Sequence, residues 1–411
     1  MFTSFSTALS ALNAHSTAVD VVGNNLANLN TPGFKTSVVA FHDLVTQSLG
    51  AGLGETQVGF GVGSPVTLRQ FSQGAIQTSS AALDAAIQGD GFLVVRNQSG
   101  AILYTRGGHL QVDKDGNLLT STGERLQGWT ASAGVLSTNT PVGDMLVPVG
   151  SLKAPIQSTQ FSFDLNLDAT GSEGDAFSTS IEVFDSLGVS HVITAQFTKT
   201  ANANEWDYSI SIPDSEVAAP VAPVTGTLTF DEGGKLTSPA ATDTMPVFSI
   251  TGLLSGAADM DLNWSLFDSV NPRISQYAQT SAVSANTQDG SPAAQLVRVG
   301  LATGGLVLAQ YSDGEQKVVG QLAMAAIRNP ESLIAVGNNN YQLSARSALP
   351  AIGVPGSGGR GIILGGATEA STVDIAKEFT DLIVLQRGFQ ANSRVITTVD
   401  ELSQETINLK R

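Results

Sequence analysis

MFTSFSTALSALNAHSTAVDVVGNNLANLNTPGFKTS, residues 1–37, decides how the rest of the chain is read. Phe5, Leu12, Val19 and Leu26 recur every seven residues, with Leu9 beside them, and Ala8, His15, Val22 and Leu29 interleave three residues later. That spacing is a narrow heptad seam rather than the broad apolar stripe of an ordinary surface helix. It predicts a helix over residues 3–29, roughly 40 Å long at about 1.5 Å per residue. Asn-Thr-Pro-Gly ends it, because Pro32 biases Thr31 away from the helical region. Asp20 is the one carboxylate before Lys35, the first cation. A helix facing water carries interspersed charges on its outer face. This one carries Thr, Ser, Ala and Asn, and reads as built to touch protein.

The period returns near the C-terminus, where Ile375, Phe379, Leu382, Phe389, Ile396 and Val399 form one stripe. Ser371 and Thr372 are read as its cap, with Asp374 in the first turn. Neither helix can bury its seam alone, so the two are expected to pair, coiled-coil-like, or to pack on neighbouring copies. Between them the chain is rich in Val, Thr, Ser and Gly, which favours strands. The expected fold is therefore mainly β and multidomain, with long terminal helices and barrel- or sandwich-like β domains. Residues 1–33 with 368–411 form the inner helical domain. Residues 34–80, with GAGLGETQVGFGVGSP, and 350–367 read as extended connecting arms. Residues 81–146 with 284–349 form a middle β domain, with hairpin turns at Asp115-Gly116, Thr122-Gly123 and Ser312-Asp313-Gly314. Residues 147–283 form an inserted β domain with its own core.

Composition removes several functional classes. The 411 residues carry a net charge of −16 and no basic stripe, which disfavours nucleic acid and membrane-surface binding. There is no cysteine, hence no disulfide, thiolate metal site or cysteine nucleophile. No window reaches eighteen apolar residues, so no membrane insertion is expected. Residues 1–34 lack the basic start and continuous apolar core of a secretory leader.

The chemistry-like patterns are weak. Asp113-Lys-Asp115-Gly-Asn117, with Glu124 further on, superficially suggests a calcium loop, but Leu118 stands where an EF-hand needs glycine and the flanks are strand-like. Gly89-Asp90-Gly91 is followed by the strand-like FLVV rather than a helix N-terminus, so it is no nucleotide loop. His15, His42, His109 and His191 show no metal spacing. Carboxylate pairs such as Asp259 with Asp261 read as solvated surface. No enzyme, metal site or cofactor is expected.

NNLANLNTPGFK (24–35) resembles the signature of the flagellar rod and hook axial proteins. The resemblance continues in LDAAIQGDGFLVV (83–95), YTRGGHLQVDKDGNLLTSTGERLQG (104–128), SVNPRISQYAQTSAV (269–283), YSDGEQKVVGQLAMAAIRNPESLIAVGNNNY (311–341) and STVDIAKEFTDLIVLQRGFQANSRVITTVDEL (371–402). Within that family the inserted middle, FDSLGVSHVITAQFTK to WDYSI, is similar to that of the hook members. Thr372 stands where the family usually has Asn, and Phe389 where Tyr is common. The resemblance implies a non-enzymatic subunit that polymerises helically into a curved, flexible tube. That tube encloses an export channel and transmits motor torque from rod to filament. It implies that the seam residues mediate self-assembly, and that Asn24, Asn25, Asn28, Thr31, Gly33 and Phe34 form the motif and hinge between inner helix and arm. Implied partners are further copies of the chain, a distal rod protein, a hook-filament junction protein, a hook cap and the flagellar export apparatus. A distal rod protein with an enlarged middle remains an alternative. So does a secreted carbohydrate-binding protein or enzyme, for which Trp206, Tyr208 and Trp264 are the available aromatics.

Overall fold

The two periodic ends form long α-helices, α1 (Phe2–Ala27) and α2 (Ile375–Asn408), in a computed structural model that describes residues 2–44, 46–49, 56–132 and 135–408. α1 stops two residues earlier than its apolar period. Asn28 turns its side chain back onto the Asn24 carbonyl at 2.9 Å, and Thr31 donates to Asn28 Oδ1 at 3.1 Å. Such side-chain bonds compete with the helix ladder and favour a turn. The start of α2 corrects the expected cap. Asp374, not Ser371 or Thr372, accepts the free N–H groups of Ala376 and Lys377, at 2.9 and 3.3 Å.

The chain divides into two compact units. The first comprises residues 1–149, 298–310 and 316–411; the second comprises 150–297 and 311–315. In the first, Phe92–Arg96 pairs with Ile102–Thr105 and Arg125–Thr130, and Arg125–Thr130 pairs in turn with Gln316–Leu322. Phe92, Val94, Tyr104, Trp129, Ala325 and Tyr341 fill the core of this sheet. The hairpin turns at Gly116 and Gly123 lie where the sequence puts them, at φ +84° and +93°. Asp113 closes the first by accepting the N–H groups of Asp115 and Asn117 at 2.9 and 2.7 Å, while Glu124 is engaged by Thr120, Thr122 and Asn340. These carboxylates hold their own turns.

The two arms are not free extended strands. Ser37–Ala40 pairs antiparallel with Val66–Arg69, and Thr46–Leu49 with Thr56–Gly59, so the first arm folds back as a hairpin. Of the glycine-punctuated stretch GAGLGETQVGFGVGSP, residues 50–55 lie outside the described residues. The second arm threads through three pairings: Ala351–Gly353 with Met324–Ala326, Ile362–Gly365 with Ala85–Gln88, and Ala367–Glu369 with Ile76–Thr78. These pairings satisfy backbone groups of both arms.

The second unit holds two open five-stranded sheets and no closed barrel. One is a meander, Ala176–Phe184, Ser190–Lys199, Glu205–Ser211, Val224–Phe230 and Leu236–Ser238. The other centres on Gln160–Asp168, which pairs with Met260–Trp264, Ile274–Tyr277 and Ala282–Gln288, so this unit runs past residue 283. Strict alternation in SHVITAQFTK sends His191, Ile193, Ala195 and Phe197 into the core. Trp206 and Trp264 are fully buried and Tyr208 nearly so; Trp264 stacks on Phe161 and meets Tyr208 edge-on at 5.0 Å. The three aromatics are core and form no sugar-binding platform.

Candidate functional site

α1 packs antiparallel along α2: Asn25 meets Glu378 near one end and His15 meets Gly388 ten residues further along each helix. α1 buries Ala8, Ala14, Ala18 and Val22, while α2 half-buries Leu382, Leu385, Gly388, Asn392, Ile396 and Val399. A Cβ on Gly388 would stand 2.8 Å from the His15 ring, so glycine there lets the helices approach. His15 also lies beside the Phe41 ring, at 5.8 Å between centroids.

The heptad row is thereby divided. Of the interleaved row, Ala8 and Val22 are buried and His15 meets Gly388 of α2. In the row of large residues Phe5 and Leu9 are exposed, and Leu12, Val19 and Leu26 are half-buried. On α2, Ile375, Phe379 and Phe389 are exposed at 46%, 52% and 42%. The sequence reading missed five more exposed apolar residues on the same helix, Ile383, Val384, Val395, Leu402 and Ile407. At 3.6 residues per turn Ile375, Phe379, Ile383, Phe389 and Ile407 share one side of α2, with Val384, Val395 and Leu402 on the other flank, and an open apolar side of this extent marks an interaction surface.

The Asn24–Phe34 motif ends in a buried junction. Asn24 is exposed, but Asn25 is 1% exposed, donates to Ser37 O at 2.8 Å and to both Glu378 oxygens at 3.1 Å, and accepts the Ser37 N–H. Gly33, at φ +73°, donates to Glu369 O at 2.8 Å, and a Cβ there would stand 2.5 Å from Arg106 O. Only glycine fits this backbone at that approach. Phe34 is buried, and Pro32 O accepts from Asn339 at 2.8 Å. Thr372 takes the role of a tie: its hydroxyl accepts the Thr36 N–H at 2.9 Å. The position expected to be a hinge is bonded to both β arms and to the lead-in of α2.

Beneath it lies an ion cluster that the sequence reading did not find. Lys35 Nζ stands 2.7 Å from Glu369 Oε1, both essentially inaccessible, and Arg106 Nη1 lies 3.4 Å from Glu369 Oε2. Carbonyls complete it: Ser72 O accepts from Lys35, and Gly89 O and Gly91 O accept from Arg106. The Gly89-Asp90-Gly91 turn is thus an arginine cradle. Burial, with Arg106 beside it, pulls Lys35 below the usual lysine range against the pull of Glu369.

Burial first, and then Asp381 and Asp374, hold the Glu378 carboxyl above the ordinary glutamate range, against the Asn25 hydrogen bonds. A raised carboxyl favours folding fully below its unfolded value near 4.5 and loses that contribution as pH rises through the folded value. Glu378→Gln keeps an acceptor for Asn25 and carries no charge. At pH 7–8 the variant is expected to melt about 1–3 °C above the parent chain, a gap that closes toward pH 4. Thermal scans at the two pH values check this, and a lower melting temperature at both contradicts it.

Four family models match along the chain: "Flagella basal body rod protein" at residues 5–35, "Flagellar hook protein FlgE/F/G D1 domain" at 86–181, "Flagellar basal body protein FlaE D2 domain" at 151–291 and "Flagellar basal body rod FlgEFG protein C-terminal" at 364–409. The flagellar hook protein FlgE of Treponema pallidum is 31% identical over 468 residues, covering all of both chains. That of Salmonella typhimurium is 31% identical, covering 99% of this chain and 100% of its own. The chain belongs to the flagellar hook protein family. Its role is structural, as a subunit of the hook of the bacterial flagellum. The fold of the Helicobacter pylori hook protein FlgE2 is similar, with a TM-score of 0.52 at 14% identity over 70% of this chain and 99% of that one. In this hook-family chain the first and last matched segments are the ones that contain α1 with its motif and α2.

Proposed function

We propose that the chain assembles helically with its own copies into a curved, flexible tube, and that the open apolar face of α1 and α2 is the surface through which copies bind. The observation that carries this is the row Phe5, Leu9, Ile375, Phe379 and Phe389, exposed on a helix pair that is already packed together. A soluble helix pair of this length does not keep such a row in water without a further partner. In the tube, the helices of 1–33 and 368–411 line the wall of the export channel. The β domains supply contacts that slide as the tube bends and passes torque from rod to filament. The distal rod protein, hook-filament junction protein, hook cap and export apparatus are its partners at the two ends and during growth.

Immunogold electron microscopy on intact cells, with antibody against the second unit, tests the placement. Gold on a short curved segment between cell body and filament is the expected result. Gold confined to envelope-stripped basal bodies, or diffuse inside the cell, contradicts it.

A further inference from the structure

The charge of this chain is concentrated in one unit. The second unit holds 19 of the 36 acidic residues and 4 of the 20 basic ones, a net −15; the first holds 17 and 16, a net −1. Three of those four cations are already committed. Lys153 is paired with Asp313 and Glu315, Arg273 lies 2.9 Å from Asp164, and Lys199 sits 5.2 Å over the Trp206 ring. Meanwhile Glu173, Glu182, Asp207, Asp214, Glu232 and Asp268 are exposed on the second unit, and no ion pair involves them among the described residues. The first unit, which carries the apolar helix face, is close to neutral.

We propose that the second unit is an electrostatic brake on assembly: its like-charged surface meets the same surface of neighbouring copies, and cations from solution must screen it before the helix faces can bind. The proposal rests on the assembly reading above. Surfaces of one sign repel over the Debye length, about 8 Å at 0.15 M salt and about 30 Å at 0.01 M. High net charge keeps a chain soluble and monomeric. Association through the near-neutral helices therefore has a threshold in ionic strength, and divalent cations lower it more than sodium does at equal ionic strength. Dilute chains in low salt stay apart although their apolar face is open.

The test uses the full chain and a variant carrying E173Q, E182Q, D207N, D214N, E232Q and D268N, which brings the second unit from −15 to −9. Circular dichroism verifies that both fold. The critical concentration for polymer, read by sedimentation, is compared between 20 and 300 mM NaCl, and with MgCl2 at matched ionic strength. For the parent chain it is expected to fall roughly tenfold over that range, and for the variant by less than about threefold. The variant also controls for any strengthening of apolar contacts by salt, which both proteins share. Equal critical concentrations at the two salts in a parent chain that does polymerise overturn the brake and leave the assembly reading standing. So does a variant with the full salt dependence. Absence of polymer in both proteins at every salt overturns the assembly reading, and the brake with it.

Discussion

Glu369→Ala is expected to lower the stability of the first unit by about 3–5 kcal/mol, the usual result of removing one partner from a buried ion cluster. The residue is 1% exposed and its carboxylate contacts both Lys35 and Arg106. Without it two cations stay buried, and the N–H of Gly74, which Oε1 accepts at 2.7 Å, loses its partner as well. The carbonyls of Ser72, Gly89 and Gly91 remain as dipoles, and dipoles do not offset a full charge at this burial. Lys35→Met is expected to cost less, because Arg106 and Glu369 are left as a balanced pair. The depressed affinity of Lys35 for its proton points the same way, since burial already disfavours its charge. Denaturant unfolding of the three proteins checks the order. A loss below about 1 kcal/mol for Glu369→Ala would show that the cluster is not a determinant of stability.

Phe389→Asp should abolish polymer formation while leaving the circular dichroism of the monomer unchanged. Phe389 is 42% exposed on α2, so the isolated chain has little to lose from the change. In an assembly it would have much to lose. A buried phenylalanine contributes about 1.5–3 kcal/mol, and forcing a carboxylate into the same place adds its desolvation cost. At about 1.4 kcal/mol per decade, removal of the ring alone shifts association ten- to a hundredfold at each contact. Leu12→Asp is a less clean probe, because Leu12 is already half-buried within the chain. Sedimentation of the Phe389 variant gives the readout, and polymer at the parent's concentration would remove this face from the assembly account.

The parts of the fold that were legible in the sequence are the local ones. Both helices announce themselves by period, and the turns at Asp115-Gly116 and Thr122-Gly123 by residue types that accept positive φ. Which face of α1 turns inward was not legible. Large residues at heptad spacing look like core, whereas the residues of α1 that are fully buried include Ala14 and Ala18, which hydropathy barely registers, beside Ala8 and Val22 of the interleaved row. Non-local partners were equally hidden. Ser37 pairs with Arg69, and Lys35 with Glu369 across 334 positions, and no local pattern encodes either. The cap of α2 was misplaced by two residues because Ser371, Thr372 and Asp374 are all competent caps. Burial assigned Thr372 to Thr36 and left Asp374 for the helix.

The central claim, that other copies of the chain cover the exposed helix face, has a direct chemical test. The sequence contains no cysteine, so Phe389→Cys introduces a single thiol at the middle of that face. Maleimide labelling of the dilute monomer and of the sedimented polymer reads its accessibility in the two states. Fast labelling of the monomer with strong protection in the polymer is the predicted result; equal labelling in both would show that the face stays in water and that the copies are held together elsewhere.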